Sequence, residues 1–252
     1  MRCADATASR ARRRRVRALF RYREQPNFPA RYNVAPTQPV PIVRMVEGER
    51  QFALVRWGLI PAWVKDPKGF ALLINARAES VNDKPAFQNA MKRRRCLFPA
   101  DGFYEWKAHG NSKRPYLARP TAGGPIAFAG LWETWFGPNG EELDTAAIVT
   151  TEANAAMAAV HHRAPVIVPP EQFDFWLDCK NLDEHMAAEL LAPAPEGSME
   201  LYEVSPAVNR VANDAPALHK PYNADAVETP AETPKPAPRK RQTLDNGQGS
   251  LF

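Results

Sequence analysis

The stretch LFPADGFYEWK, Leu97 to Lys107, decides how the rest of the chain is interpreted. It indicates an Asp-Gly turn that leads into a strand. Side-chain alternation then puts Tyr104 and Trp106 on one face and Glu105 on the other. A carboxylate among aromatic side chains has two interpretations. It forms a salt bridge with Lys107 or a nearby arginine, or it transfers protons in a reaction.

The composition indicates a folded globular protein without metal or cofactor. The 252 residues are 44% hydrophobic, and 25 prolines against 13 glycines disfavour a helical bundle. No apolar run reaches the roughly 18 residues of a membrane span, which predicts a soluble protein. Cys3, Cys96 and Cys179 are odd in number and show no CxxC spacing, which favours a reducing cytoplasm, and the five histidines form no HExxH motif. We therefore expect no disulfide framework, metal or cofactor.

The positive charge is concentrated at one end of the chain. Residues 1–15, MRCADATASRARRRR, hold six Arg and one Asp and account for the whole net charge of +5. The overall charge is therefore weak evidence for nucleic-acid binding. Local patches, such as Lys92 to Arg95, carry that argument instead.

The periodicity predicts an α+β fold rich in strands, without regular βαβ alternation. A short amphipathic helix is expected from Val16. ALLINARAES, residues 71–80, gives the clearest strand, with Asn75, Arg77 and Glu79 on one face. A helix capped by Thr151 is expected to end near His161.

Four segments in one order carry a family resemblance: RYNVAPTQ (31–38), INARAES (74–80), FPADGFYEW (98–106) and VHHRAP (160–165). WGLIPAW (57–63) and VSPAVN (204–209) fit as well. Together they resemble the SOS response-associated peptidase (SRAP) family. The resemblance implies a single α+β domain over residues 16–223, with a mostly antiparallel, barrel-like sheet and flanking helices.

The resemblance also implies an activity in DNA damage and the SOS response. SRAP proteins link themselves covalently to abasic sites in single-stranded DNA, and peptidase self-processing and lyase activity accompany this. Their N-terminal cysteine supplies an α-amine, which forms an imine with the sugar aldehyde, and a thiol, which closes a thiazolidine ring. An α-amine is a better nucleophile than lysine at neutral pH because far more of it is uncharged.

Site residues follow from the same resemblance. Asn75 would hold the α-amine, Glu105 would shuttle protons, and His161 would assist sugar opening or elimination. The residues expected to bind DNA, by clasping phosphates or lining a cleft that splays the strand, are Asn33, Pro36, Trp57, Trp63, Arg77 and Arg163.

One departure puts the chemistry in question, because the family begins Met-Cys-Gly-Arg and this chain begins Met-Arg-Cys. The nitrogen of Cys3 is an amide, so Cys3 cannot supply both amine and thiol. Three explanations stay open: a misread start over residues 1–15, a true loss that leaves a Schiff-base lyase or a non-catalytic DNA-binding protein, or an Arg-rich transit peptide.

The last segment, residues 224–252, is rich in Pro, Lys and Arg and predicts disorder. Its end, QGSLF, resembles ligands of the bacterial sliding clamp, with Gln248, Leu251 and Phe252 as contacts. The protein is expected to be a monomer.

Overall fold

The computed structural model describes residues 1–5, 10–24 and 26–223. The strands of these residues are β1 (Arg2–Asp5), β2 (Pro39–Val46), β3 (Glu49–Trp57), β4 (Asn75–Arg77), β5 (Arg95–His109), β6 (Ser112–Pro120), β7 (Ile126–Phe136), β8 (Glu142–Glu152), β9 (Arg163–Pro165) and β10 (Met199–Glu203). The α-helices are α1 (Arg10–Phe20), α2 (Pro85–Arg93), α3 (Ala155–Ala158), α4 (Phe173–Leu177) and α5 (Glu184–Ala188). Short 3₁₀ turns cover Pro67–Gly69, Ala78–Ser80, Pro170–Gln172, Pro206–Asn209 and Pro216–His219.

Five strands close into a barrel. β5 pairs with β2, β2 with β3, β3 with β8, β8 with β7, and β7 returns to β5. Every pair in this ring is antiparallel except β3 with β8. β6 and β10 extend the sheet beyond β5, and β4 and β9 add to β8. The predicted α+β fold with a mostly antiparallel, barrel-like sheet is confirmed.

Strand β5 belongs to two parts of the sheet. Its first half, Arg95 to Ala100, pairs with β7, and its second half, Phe103 to His109, pairs with β6. The predicted Asp-Gly turn is wrong, because both residues lie inside one continuous strand. The change of partner takes place at Asp101 and Gly102, where the β1 register skips one residue. This irregularity bends the strand without ending it.

Alternating side chains of the barrel strands form two apolar clusters. The barrel-interior cluster includes Ile42, Trp57, Phe98, Phe128 and Ile148. The outer cluster uses the alternate positions of the same strands and buries them under helices α1, α2 and α4. Phe103 belongs to the interior cluster and Tyr104 to a third cluster beside β6 and β10, so the predicted alternation along this stretch is confirmed.

Helix α1 begins at Arg10, six residues before the predicted start at Val16. Val16 and Phe20 are fully buried, and the Phe20 ring stacks on Phe173 with centroids 5.0 Å apart. Apolar burial therefore stabilises a helix in which Arg13 and Arg17, four residues apart, repel each other.

Two other elements differ from prediction. The segment 71–80 is a strand only over β4, and Ala78 to Ser80 form a 3₁₀ turn. Thr151 is not a helix cap, because β8 continues through it. The cap is Asn154, whose side chain accepts a hydrogen bond from the backbone N–H of Met157 at 3.1 Å. Helix α3 is therefore only one turn long, and His161 lies beyond it.

Residues Met1 to Tyr222 form one compact unit. Strand β1 and helix α1 belong to it, although a misread start over residues 1–15 stays a prediction. The predicted disordered tail, 224–252, and its clamp-binding residues lie outside the described residues. Among the described residues, no helix has both the length and the apolar character to cross a bilayer.

Candidate active site

Strand β1 brings the beginning of the chain to Glu105. It runs antiparallel to β5 with Arg2 opposite Tyr104 and Cys3 opposite Phe103. The amino group of Met1 then lies 3.7 Å from Oε1 of Glu105. Glu105 is 8% exposed, and the Met1 side chain packs against the barrel-interior cluster. An amine and a carboxylate thus meet at the edge of an apolar interior.

Arg2 fixes this register from the opposite face of β1. Its guanidinium donates hydrogen bonds to Oδ1 of Asn33 at 3.3 Å, to the carbonyl of Asn209 at 3.2 Å and to the carbonyl of Val208. It also lies 5.3 Å from the centre of the Trp106 ring. Burial lowers the pKa of Arg2 from its ordinary value. Sequence reasoning gave Arg2 no role, because its partners are 31 and more residues away.

Cys3 lies on the same face as Met1 but deeper in the protein. Its backbone N–H donates to the carbonyl of Val34 at 3.1 Å, and its carbonyl accepts from the N–H of Val34 at 2.9 Å. The side chain is 7% exposed and belongs to the barrel-interior cluster. The nitrogen of Cys3 is therefore a paired amide, as expected from its position in the sequence.

Asn75 presents a buried acceptor without a donor. Strand β4 runs parallel to β8, and Ala76 is fully buried in the outer cluster. Oδ1 of Asn75 is inaccessible to solvent and finds no hydrogen-bond partner among the described residues. Such an atom destabilises the fold by about 1–3 kcal/mol unless a ligand or water satisfies it. The arrangement suits a bound N–H or O–H group.

Arg163 and Glu79 form a two-pronged ion pair close to β4. Nη1 of Arg163 donates to Oε1 of Glu79 at 2.7 Å, and Nη2 donates to Oε2 at 3.0 Å. Nη2 also donates to the carbonyl of Thr150 at 2.6 Å. The hydrogen bond from Arg163, supported by the charges of Arg163 and Arg77, lowers the pKa of Glu79. Arg77 itself is exposed to solvent.

His161 is tied to the backbone of Arg163. The N–H of Arg163 donates to Nδ1 of His161 at 3.1 Å. Nδ1 also lies 3.1 Å from the carbonyl oxygen of Arg163, so the backbone of Arg163 engages this nitrogen in either tautomer of the ring. His162 is more exposed, and its ring centre lies 4.6 Å from that of His161.

The segments that carry the predicted catalytic residues contact one apolar cluster. Phe103 and Met1 lie in or against the barrel-interior cluster beside Glu105. Ile74, directly before Asn75, packs against it, and Ala164, three residues after His161, belongs to it. Joint action of Glu105, Asn75 and His161 stays a prediction, and Oδ1 of Asn75 makes no hydrogen bond to Met1.

Comparison with known proteins identifies the family. The family model described as SOS response associated peptidase (SRAP) matches residues 2–211. The chain belongs to that family. Abasic site processing protein YoqW of Bacillus subtilis is 41% identical over 188 residues, which are 74% of this chain and 84% of YoqW. Abasic site processing protein YoaM of the same organism is 40% identical, over 74% of this chain and 83% of YoaM.

A solved structure with a similar fold agrees with this architecture. A protein from Bacteroides thetaiotaomicron superposes with a TM-score of 0.76 at 26% identity, over 87% of this chain and 99% of that one. The SRAP match begins at residue 2, so it includes β1 and most of the Arg-rich segment that sequence analysis set apart.

Asn33 and Pro36 occupy different environments in the SRAP domain. Asn33 is fully buried, and its amide nitrogen donates to the carbonyls of Val208, Arg210 and Asn213 at 3.0–3.1 Å. Its side chain therefore holds the loop around the 3₁₀ turn Pro206–Asn209. Pro36 is half-buried at the tip of a turn. DNA contact by either residue stays a prediction.

The two tryptophans of the SRAP motif WGLIPAW differ in exposure. Trp57 is fully buried, and its indole N–H donates to the carbonyl of Ile74 at 3.0 Å. Trp63 is 60% exposed and meets Phe70 edge-on, with ring centres 5.6 Å apart. The loop that carries Trp63 is anchored by Trp135, whose indole N–H donates to the carbonyl of Val64 at 2.6 Å. Trp63 is therefore available to a ligand, and Trp57 is a core residue.

The substitution Asn33→Ala tests the structural role of this amide. We expect a loss of about 2–3 kcal/mol in the free energy of unfolding, because the change removes the donor of one buried and two partly buried hydrogen bonds. Urea denaturation measures it. The matched control is Asn139→Ala, which removes one exposed side-chain hydrogen bond, to Glu141, and is expected to lose less than about 1 kcal/mol. Equal losses in the two variants would contradict the assignment.

Proposed function

We propose that this chain processes abasic sites in single-stranded DNA by covalent attachment through the amino group of residue 1. One observation carries the proposal: the amine of Met1 lies 3.7 Å from Glu105, the carboxylate expected to shuttle protons. The names of the relatives YoqW and YoaM, both abasic site processing proteins, support the choice of substrate.

The reaction is an imine condensation. Glu105 takes one proton from the ammonium group, the resulting neutral amine adds to C1′ of the ring-opened sugar, and Glu105 gives this proton to the carbonyl oxygen, which becomes a hydroxyl. Glu105 then removes a second proton from the positively charged nitrogen of the adduct and donates it to this hydroxyl. Water leaves as the nitrogen lone pair forms the C=N bond. The apolar side chains beside Glu105 favour release of this water from the site.

Asn75 acts on the amine before the imine forms, and His161 acts on the sugar. The unsatisfied Oδ1 of Asn75 accepts a hydrogen from the attacking amine and orients its lone pair. His161 uses Nε2, in the tautomer or charge state that carries a proton there, to donate to the sugar oxygen, because the backbone of Arg163 engages its Nδ1. Once the imine has formed, loss of a C2′ proton breaks the C3′–O bond and releases the 3′ phosphate, which is a lyase reaction.

The side chain of residue 1 decides how long the link lasts. A cysteine there would add its thiol to the imine and close a thiazolidine. Met1 has a thioether without an S–H, so this ring cannot form. The amide nitrogen of Cys3 is held in the β-ladder to Val34. For a chain that begins at Met1, the product is therefore an imine, which water reverses.

A trapping experiment tests this chemistry. The protein, with residue 1 established by mass spectrometry, is incubated with an oligonucleotide treated with uracil-DNA glycosylase. We expect a covalent band on a denaturing gel only when borohydride reduces the imine. The variant Met1→Cys, expressed behind an additional initiator Met that is removed, is expected to give a heat-stable band without borohydride.

The outcomes separate the candidate functions. A heat-stable band from the unsubstituted chain would contradict the imine product while leaving the attachment in place. No band from either protein would favour the second candidate, a single-stranded DNA-binding protein without catalysis. The buried Met1 side chain, which occupies the position of the expected nucleophile, is the observation that favours this second candidate.

The DNA-binding surface is proposed to include Trp63, Arg77 and Arg163, with Asn33 and Pro36 shaping the cleft. Arginines neutralise phosphates, and an exposed indole stacks on a base without sequence preference. Self-processing by peptidase activity belongs to the same proposal, because the nucleophile lies at the chain terminus.

The substitution Trp63→Ala tests the stacking role. We expect single-stranded DNA affinity to fall by about 1–3 kcal/mol, the usual contribution of one stacked base. Fluorescence anisotropy measures it, and the melting temperature checks the fold. Phe136→Ala is the matched control, since Phe136 is 57% exposed at the end of β7 and has no proposed role. A similar loss in both variants would argue against stacking by Trp63.

A sliding clamp is proposed as a protein partner through Gln248, Leu251 and Phe252. An apolar Leu-Phe pair at the end of a charged tail suits a short ligand for a hydrophobic pocket. Deleting residues 248–252 is expected to abolish retention on immobilised bacterial clamp. Deleting residues 229–233 instead, which leaves QGSLF intact, serves as control. Unchanged retention after the terminal deletion would exclude this contact.

A further inference from the structure

The pairing of Glu79 with Arg163 has the geometry of an arginine bound to phosphate. Both oxygens of the carboxylate accept from the two terminal nitrogens of one guanidinium, at 2.7 and 3.0 Å. Planar guanidinium groups bind carboxylates and phosphates through the same pair of donors. A DNA phosphate at this edge of Arg163 would therefore meet a position that Glu79 already holds.

The remaining donors of Arg163 are directed into the protein. Nη2 donates to the carbonyl of Thr150 at 2.6 Å, and Nε is buried without a partner among the described residues. The Arg163 side chain is 16% exposed, whereas the Glu79 side chain is 49% exposed. Arg163 is thus held by its hydrogen bond to Thr150 of β8, and Glu79 is the partner that can move into solvent.

We propose that Glu79 is a positioning residue that stands in for a DNA phosphate. In the free protein it holds the Arg163 guanidinium in the orientation that a phosphodiester requires. On binding, the phosphate displaces the carboxylate, which turns toward solvent. This inference rests on the proposed function, because the incoming phosphate belongs to the DNA strand.

The charges around Glu79 and Arg163 favour opening of this ion pair when DNA binds. Arg77 and Arg163 supply two positive charges, and Glu79 cancels one of them. A phosphate that bound beside an intact pair would meet repulsion from Glu79 and a neutralised Arg163. The Glu79 side chain is half exposed, so water can hydrate its carboxylate again when the pair opens.

The variant Glu79→Gln keeps a hydrogen-bond acceptor for Arg163 and removes the competing charge. Binding is measured by anisotropy with an oligonucleotide that contains a tetrahydrofuran abasic analogue, which has no aldehyde. We expect about 3- to 10-fold tighter binding at low salt. The slope of log affinity against log salt is expected to steepen by up to about 0.7, the value for one more neutralised phosphate on a single strand.

Two further variants make the test specific. Glu49→Gln changes the net charge equally. Glu49 lies in the β2–β3 hairpin and pairs with Arg23 at 2.7 Å, so we expect its substitution to change DNA affinity less than twofold. In the Arg163→Gln background, the gain from Glu79→Gln is expected to disappear, because Glu79 acts through Arg163. Circular dichroism establishes that each variant is folded.

Each outcome decides the inference. Weaker or unchanged binding by Glu79→Gln would overturn it, since Glu79 would then stay paired in the complex or support binding directly. A gain that survives Arg163→Gln would overturn it as well. If the unsubstituted chain forms the trapped imine while Glu79→Gln has no effect, only this inference fails. If no variant binds DNA, the proposed function fails with it.

Discussion

The register between β1 and β5 is the constraint on which the site depends. Because side chains in a strand alternate, a shift of one residue would move Met1 to the other face and place a different group beside Glu105. Arg2 opposes that shift from the far side of the strand, where it reaches Asn33 and the loop near Val208. Cys3 adds a second restraint through its paired hydrogen bonds with Val34. The register therefore decides which residue's amine faces the carboxylate.

The loop around Val208 links strand β1 at the beginning of the chain to the rest of the domain. Asn33 binds three carbonyls of the segment 208–213, and Asp214 accepts from Arg31 at 2.6 Å and from the backbone N–H of Asn33 at 3.1 Å. Tyr104, whose pKa is raised by burial, stays protonated and donates to the carbonyl of Tyr32 at 2.8 Å. Buried hydrogen bonds of this kind lose much of their value when one partner is removed. The segment around Asn33 thus acts on the site through its support of β1, without contact with Glu105 being needed.

Sequence reasoning predicted the parts of the molecule that depend on local periodicity. The alternation of Phe103, Tyr104 and Glu105 survived in the structure because each face of β5 meets its own apolar cluster. Sequence reasoning was wrong where contacts with residues far away in the sequence determine the local structure. Thr151 has the residue type of a helix cap, yet β9 pairs with β8 there and extends the strand. The burial of Asn33 was equally invisible, since its partners lie about 175 to 180 residues further along the chain.

The architecture separates the proposed nucleophile from the groups that are proposed to assist it. Glu105 lies in a long strand, Asn75 in a short strand fixed to β8, and His161 on a segment held by Arg163, so their positions depend on the barrel. The amine instead comes from a strand at the beginning of the chain, and only four residues of pairing position it. Under the proposed chemistry, a change of residue 1 therefore alters the product while the strands of the barrel keep their pairing. The step from a reversible imine to a lasting ring would then require one S–H at residue 1, not a new active site.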